Sequence, residues 1–400
     1  MPKTAATPTL PDLDESQALD LVLRLMAIPG PSGQEGKVIE FHAKHLKAAG
    51  APAAAIEIEP PPPNTPVKGE VGSLILKLAG THRAPRRLLM AHVDTVPICV
   101  GCQPIVDGDF VRSANPATGV GADDRAGTAV LLTTALAILK HKLPHPPLTF
   151  YWPVQEEIGL YGARHAKLAR LGKPKLAFNY DGGPPEKLTC GATGGYRLTI
   201  EVRGLASHAG AAPEHGVSAI AIASLAIADL VNNGWHGDVR KAKQRGTTNV
   251  GVIQGGDATN VVTDRVSIKA EARSHNPKFR ARIVREIERA FALAAKQVRD
   301  VVGTPGKVII DGRLDYEAFR LADDEPCVLT AEAAIRAAGG EPYRAISNGG
   351  LDANWMTAHG LPTVTLGCGQ MNPHTVGERL DIQAFHRACR VALRLATAAV

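Results

Sequence analysis

Five short stretches carry side chains able to hold a divalent cation, and each adjoins an apolar run. "RLLMAHVD" sets His92 and Asp94 two residues apart, and "GVGADDRAG" sets Asp123 beside Asp124. "YWPVQEEIG" runs through aromatic and apolar residues into Glu156 and Glu157. "LAFNYDGG" stops at Asp181, and "NPHTVGE" brings His374 shortly after the apolar "LPTVTLG". Adjacent carboxylates at the end of an apolar strand repel each other and are costly to desolvate, so something positive must meet them. Two imidazoles and several carboxylates suit borderline divalent ions, zinc first. One ion needs three or four ligands; five or six candidates suffice for two ions that share a bridging carboxylate. Two cations would also explain the glutamate pair: one ligates metal, its neighbour stays free as a base, and the positive charge keeps both ionised. On a strand Asp94 points the same way as His92, so it can accept a hydrogen bond from the imidazole and fix its tautomer.

The elements that must position these groups alternate. The pattern predicts helices over 16–26, capped by Ser16, and 37–49, then strands over 73–78 and 87–91. A helix over 126–142, a strand over 148–154, a helix over 160–171 and a strand over 176–179 follow. "EPPPPNTP" reads as a stiff surface loop. This order implies an α/β fold: a mostly parallel sheet flanked by helices. Ligands of such sheets bind beyond the carboxyl ends of the strands, so five separate loops can converge on one cleft. The character changes near Thr193, where "YRLTIEVRG" alternates as a half-exposed strand does. A helix over 217–231, strands over 249–253 and 262–272, a helix over 278–298 and a strand over 307–310 make a smaller α/β sandwich. Helix–strand alternation then returns and closes with a helix over 382–399. The reading is a catalytic domain in two parts, 1–192 and 316–400, interrupted by an inserted lid domain over 193–315.

Composition limits the alternatives. The chain has 400 residues, 44% apolar and 21% charged, as expected of a globular protein with room for two domains. The balance of 45 basic and 39 acidic residues, +6, is mild, and aromatics are only 4%, which argues against nucleic acid as a partner. The basic run Arg240, Lys241, Lys243 and Arg245 reads as a solvated face. Six scattered cysteines form no disulfide framework, and Cys99 and Cys102 read as a coincidental pair of thiols. The first 17 residues lack the apolar core of a secretory signal, and no apolar stretch is long enough to span a bilayer, so a cytoplasmic location with no membrane partner is expected.

The strings "AHVDTVP", "GVGADDRAG", "QEEIGLYGA", "NYDGG", "GLASHAG", "GGDATNVVTDRV", "AEARS", "SNGGLDAN" and "HTVGE" occur in this order over nearly the whole chain. Together they resemble the cocatalytic zinc metallopeptidases that include peptidase T, carboxypeptidase G, aminoacylase and succinyl-diaminopimelate desuccinylase. "GADDRAG", "YDGG" and "AEARS" look most like the peptidase T branch. The resemblance implies two divalent ions per chain, zinc or else cobalt or manganese. His92, Asp123 and Asp181 would hold one, and Asp123, Glu157 and His374 the other, with Asp123 bridging. Glu156 would be the general base, Asp94 the partner of His92, and His208 a donor to the substrate carbonyl. Asn260, Arg273, Gly349 and Gly350 would contact the substrate. Arg125 stands where the family usually has Lys, and Leu351 where a small hydroxyl residue is common. The implied activity is exopeptidase cleavage of short peptides, tripeptides first, by a homodimer paired through the inserted domain. Deacylation of N-acyl amino acids, or carboxypeptidase action, is the alternative within the family; a metal-free binding protein on the same fold is the distant one.

Overall fold

The computed structural model describes residues 12–397. Residues 1–11, part of the stretch without a signal-like apolar core, lie outside the described residues, as do 398–400. The chain divides into two compact units. Unit 1 comprises Met1–Gly191, Arg320–Ser347 and Leu351–Val400, and unit 2 comprises Ala192–Phe319 and Asn348–Gly350.

Unit 1 is built on a nine-stranded sheet. At its centre lie β1 (Arg87–Met90), β2 (Leu148–Trp152), β3 (Leu176–Tyr180) and β4 (Thr363–Leu366). They run in the order β2-β1-β3-β4, all mutually parallel. Every residue of all four is buried, which explains why they read as continuous apolar runs rather than alternating ones. Leu74–Leu78 flanks β2 and Lys187–Ala192 flanks β4, both antiparallel. Each central strand ends in one of the sequence's polar stretches, so parallel pairing alone sends His92, Glu156, Glu157 and Asp181 to one edge of the sheet. Helix Ala122–His141 begins irregularly. Asp123 and Asp124 have non-helical backbone angles and are joined by a cis peptide bond. Asp123 therefore belongs to the strand-end loops rather than to the helix.

Unit 2 is a five-stranded antiparallel sheet in the order Gly237–Lys241, Gln244–Gly255, Arg265–Ser274, Gly194–Arg203, Lys307–Tyr316. Leu198, Ile200 and Val202, with Val266, Ile268, Ala270 and Ala272, turn alternate side chains into a core shared with helices Ala219–Asn232 and Pro277–Gln297. That period of two is what a sheet covered on one face requires.

Two expectations need correction. The helix expected over 160–171 is a single turn, Tyr161–Arg164, followed by turns. Helix Glu15–Met26 is capped by Asp14, whose carboxylate accepts the Gln17 N–H at 3.0 Å, and Ser16 lies inside it. The basic run is a solvated face, and it turns a hairpin: Arg240 and Arg245 lie on facing strands, both exposed and both paired to Asp238, at 2.7 and 2.9 Å. A four-stranded sheet of short strands, including Pro104–Asp107 and Phe110–Ser113, was not anticipated.

Candidate metal centre

At the carboxyl edge of the unit 1 sheet, Asp123 sits between two imidazoles. Its Oδ1 lies 3.3 Å from His92 Nε2 and its Oδ2 lies 3.3 Å from His374 Nε2. His374 Nε2 is also 3.1 Å from Glu157 Oε2. Two groups of donor atoms fall within 4.8 Å of one another: His92, Asp123 and Glu157, and His92, Glu156 and Asp181. Five loops thus deliver six potential donors, with Asp123 placing one oxygen toward each imidazole. Glu156 stands with His92 and Asp181 rather than apart from the cluster.

The His92 ring is oriented from behind. Its Nδ1 is 3.2 Å from the Asp94 carbonyl oxygen and 3.5 Å from Asp94 Oδ1. An Nδ1–H directed at Asp94 leaves Nε2 with its lone pair toward Asp123, the tautomer a ligand needs. Asp94 does more than the H-x-D spacing suggested. Its fully buried carboxylate accepts Ser32 Oγ–H at 2.6 Å and the backbone N–H groups of Glu156 and Glu157 at 2.9 and 3.2 Å.

The electrostatics match a site made for cations. Burial pushes the Asp181 carboxyl up to about 7, with Asp123 adding to it. Burial pushes Glu156 well up too, Glu157 and Asp181 adding to it against His92. Asp123 lies well below the carboxylate range, because His374 and His92 outweigh its burial. Hydrogen bonds to Asp123 and Glu157 hold His374 up to about 10. So many buried acids are costly beside two imidazoles alone. Two divalent cations would neutralise them, and the mixed N/O donor set fits zinc, cobalt or manganese.

Other residues of this neighbourhood escaped the sequence reading. Glu378, buried, accepts the Gly121 N–H at 2.7 Å and the Asp123 N–H at 2.9 Å, holding the backbone of the central aspartate. Its only sequence signal was its place in "HTVGE". Gln370 Nε2 donates to Asp123 Oδ1 at 3.3 Å. Asp352 is buried, its two oxygens have no hydrogen-bond partner among the described residues, and burial raises its carboxyl to about 8. Arg125, buried, donates to the carbonyls of Val93, Ile28 and Gly30, joining the Asp123 loop to the end of β1.

The remaining expected site residues belong to unit 2. His208 is exposed, and its Nδ1 accepts the N–H groups of Gly210 and Ala211 at 3.1 and 3.0 Å. The ring proton therefore sits on Nε2, which is left as a donor. Asn260 is exposed on the neighbouring segment, its carbonyl accepting the Ala209 N–H at 2.9 Å. Arg273 is half-buried, clamped to Glu271 by two bonds of 2.9 Å, and lines a pocket of about 280 Å³ with Arg245, Thr247, His275 and Asn348. Gly349 and Gly350 are half-buried, and a Cβ at Gly350 would lie 2.5 Å from the Tyr316 ring. All six cysteines are unpaired and buried. Cys99 Sγ faces Glu378 and Cys102 Sγ faces the Val120 carbonyl.

A parallel sheet whose strand ends gather imidazoles and carboxylates around one shared aspartate defines a class, the metal-dependent hydrolases. Residues 88–398 match peptidase family M20/M25/M40, and the chain belongs to that family. It is therefore a metallopeptidase-type hydrolase. It is similar to carboxypeptidase G2 of Pseudomonas sp. (strain RS-16), 31% identical over 317 residues, 77% of this chain and 72% of that protein. Among solved structures, a tripeptidase from Staphylococcus aureus superposes with a TM-score of 0.84 at 28% identity, covering 96% of this chain and 98% of the other. Aminopeptidase PepT from Bacillus cereus superposes with a TM-score of 0.80, also at 28% identity, with coverage of 96% and 98%. No described helix is long and apolar enough to cross a membrane.

Two outcomes follow for metal binding. Ligation needs neutral imidazole, and both His92 and His374 are held above their ordinary pKa by carboxylates. Loading the metal-depleted protein with Zn2+ will release protons, and apparent affinity will fall as pH is lowered; calorimetry in buffers of different ionisation enthalpy measures both. Asp123→Ala will reduce tightly bound metal to less than one ion per chain by elemental analysis, whereas loss of only one of two ions would show that Asp123 serves a single site.

Proposed function

We propose that this protein is an exopeptidase that removes the N-terminal residue of short peptides, tripeptides first, with two divalent cations, zinc above all. The observation that supports the chemistry best is the single aspartate reached on its two oxygens by two different imidazoles. Likeness to a tripeptidase and to PepT over nearly the whole chain supports the substrate class. His92, Asp123 and Asp181 would hold one ion, and Asp123, Glu157 and His374 the other. When bound, the ions supply a water whose pKa is lowered toward neutrality.

The protein's own groups do the rest. Glu156 takes a proton from the attacking water and later delivers it to the leaving amine, a task suited to a buried carboxyl whose pKa stands above the usual range. Asp94 keeps His92 in the ligating tautomer and holds the backbone of Glu156 and Glu157. His208, protonated on Nε2 by its turn, donates to the developing oxyanion. Arg273, Asn260 and the backbone at Gly349 and Gly350 hold the substrate. We place the enzyme in the cytoplasm as a homodimer paired through unit 2. Ile220, Leu225 and Val231, each at least 43% exposed on helix Ala219–Asn232, support that surface.

A second reading, carboxypeptidase or N-acyl amino acid deacylase, is favoured by the likeness to carboxypeptidase G2. A panel of tripeptides, dipeptides and N-acyl amino acids, assayed with zinc, cobalt and manganese, separates the two. The proposal expects the fastest turnover on free tripeptides; efficient hydrolysis of N-acyl amino acids with none of tripeptides would replace it by the second reading. Glu156→Ala is expected to keep the metals and lower kcat by a factor on the order of 100 or more, whereas Glu157→Ala weakens metal binding. The reverse pattern would exchange their roles. His208→Ala is expected to lower kcat roughly 100-fold with metals retained. If His208 serves the partner's site, mixing it with Glu156→Ala restores part of the activity, because a hybrid dimer holds one intact site.

A further inference from the structure

The turn that carries both glutamates is held by carboxylates at three consecutive backbone amides. The N–H of Gln155 donates to Glu35 Oε1 at 3.0 Å, that of Glu156 to Asp94 Oδ1 at 2.9 Å and that of Glu157 to Asp94 Oδ2 at 3.2 Å. Successive amides turned toward anions resemble the backbone nests that seat phosphate or carboxylate ligands. Here the acceptors are the protein's own carboxyl groups, and both are fully buried.

Gln155 is the strained member of the turn. Its φ is +57°, a left-handed conformation that a residue with a side chain adopts rarely, and its side-chain amide has no hydrogen-bond partner among the described residues. Nothing in the Gln155 side chain explains that backbone angle. Its backbone is held on both sides: the carbonyl accepts the Tyr161 N–H at 3.0 Å, and the N–H donates to Glu35, which arrives from 120 residues away in the sequence.

Glu35 could be no more than the first residue of helix Gly36–Ala48. It does occupy the N-cap position there, yet its side chain makes no capping hydrogen bond. It points instead to the glutamate turn. The loop before it is pinned for that purpose. Pro31 bridges Thr95, the Thr95 N–H donates to the Gly30 carbonyl at 3.1 Å, and Ser32 Oγ donates to Asp94 Oδ2 at 2.6 Å. Gly33 makes the tight bend at φ +90°, where a Cβ would lie 2.8 Å from Val67. One short loop thus supports both carboxylates under the turn.

We propose that Glu35 is a positioning residue for the reaction: by holding the Gln155 N–H it keeps the turn left-handed, and so directs Glu156 and Glu157 to separate positions at the metal centre. Asp94 grips only the two later amides, and the Gln155 carbonyl is held by the Tyr161 N–H at 3.0 Å, so the Gln155 N–H is the point at which Glu35 adds its hold on the peptide before the two glutamates. This rests on the reading of Glu156 as base and Glu157 as ligand, and it adds a group that touches neither substrate nor metal. Displacements of about 1 Å at a reacting group can cost 100-fold in rate, so a small rotation of the turn is enough to be felt.

Two variants test it. Glu35→Gln keeps an oxygen where Oε1 stands and should leave kcat within about three-fold of wild type. Glu35→Asp keeps the charge but withdraws the carboxylate by one methylene. It should lower kcat roughly 10- to 100-fold, with KM and the metal content unchanged. The cobalt-substituted enzyme supplies a readout besides activity. Its visible absorption should shift in Glu35→Asp and match wild type in Glu35→Gln, since it follows the placement of Glu157. That spectrum is informative whether or not Glu156 is the base, so failure of this inference is distinguishable from failure of the function. Wild-type kcat and spectrum in Glu35→Asp would overturn it. So would loss in Glu35→Gln with wild-type kcat in Glu35→Asp, which would make charge and not reach the requirement. Loss of folding or thermal stability in Glu35→Asp, with kcat per folded molecule unchanged, would assign Glu35 to stability instead.

Discussion

Like charges gathered in a dry place impose the constraint on which the rest of unit 1 depends. Asp94, Asp123, Asp124, Glu156, Asp181 and Asp352 are largely or wholly buried near one edge of the sheet, with Glu157 beside them. Burial and mutual repulsion push Asp181, Glu156 and Asp352 toward their neutral forms, against the opposing charge of His92 and, for Asp181, of Lys187. Such an arrangement costs stability in the absence of cations and is repaid when they bind, which couples metal affinity to the pH of the solution. The parallel sheet makes this crowding possible, because it brings the carboxyl ends of four strands together without any further instruction.

The candidate ligands are then held less by one another than by a second set of acids gripping the backbone. Glu378 takes the amides of Gly121 and Asp123, and Asp94 those of Glu156 and Glu157. A hydrogen bond from a neutral amide to a charged oxygen is stronger than a neutral pair and strongly directional. Fixing the main chain in this way leaves each ligand side chain with its oxygens free to face inward. Arg125 completes the frame, since its guanidinium binds carbonyls of the β1 end and of the loop at Ile28 and Gly30. A lysine would offer three donors on one nitrogen; the planar guanidinium spreads its donors over two carbonyl-bearing segments.

Much of this was legible before the structure. Buried parallel strands read as continuous apolar runs, and polar residues at their ends stand out by contrast, so His92, Asp123, Glu156, Glu157, Asp181 and His374 could be singled out. The order of the motifs then pointed to the family to which the chain belongs. Local signals misled where tertiary contacts decide. The stretch after Glu157 has helical composition but forms one turn, because Tyr161–Arg164 is followed by turns before β3 begins. The strands of the four-stranded sheet are two to four residues long, too short to show a period. The hairpin that begins with Gly237–Lys241 hid behind its charges, whose partner Asp238 lies just before them on the same strand.

The sequence by itself determined the fold class, the family and the identities of the candidate ligands, because these depend on periodicity, on residue chemistry and on order along the chain. Only the tertiary structure decided how the ligands are aimed. Asp123 turns its two oxygens to different imidazoles while its amide is held by Glu378, 255 residues away. The left-handed Gln155 gives its N–H to Glu35, 120 residues away. The proton on His208 sits on Nε2 because a turn places two amides against Nδ1. Contacts of this kind leave no local pattern, since hydrogen-bond direction is set by the three-dimensional meeting of distant segments and not by the spacing of residues within any one of them.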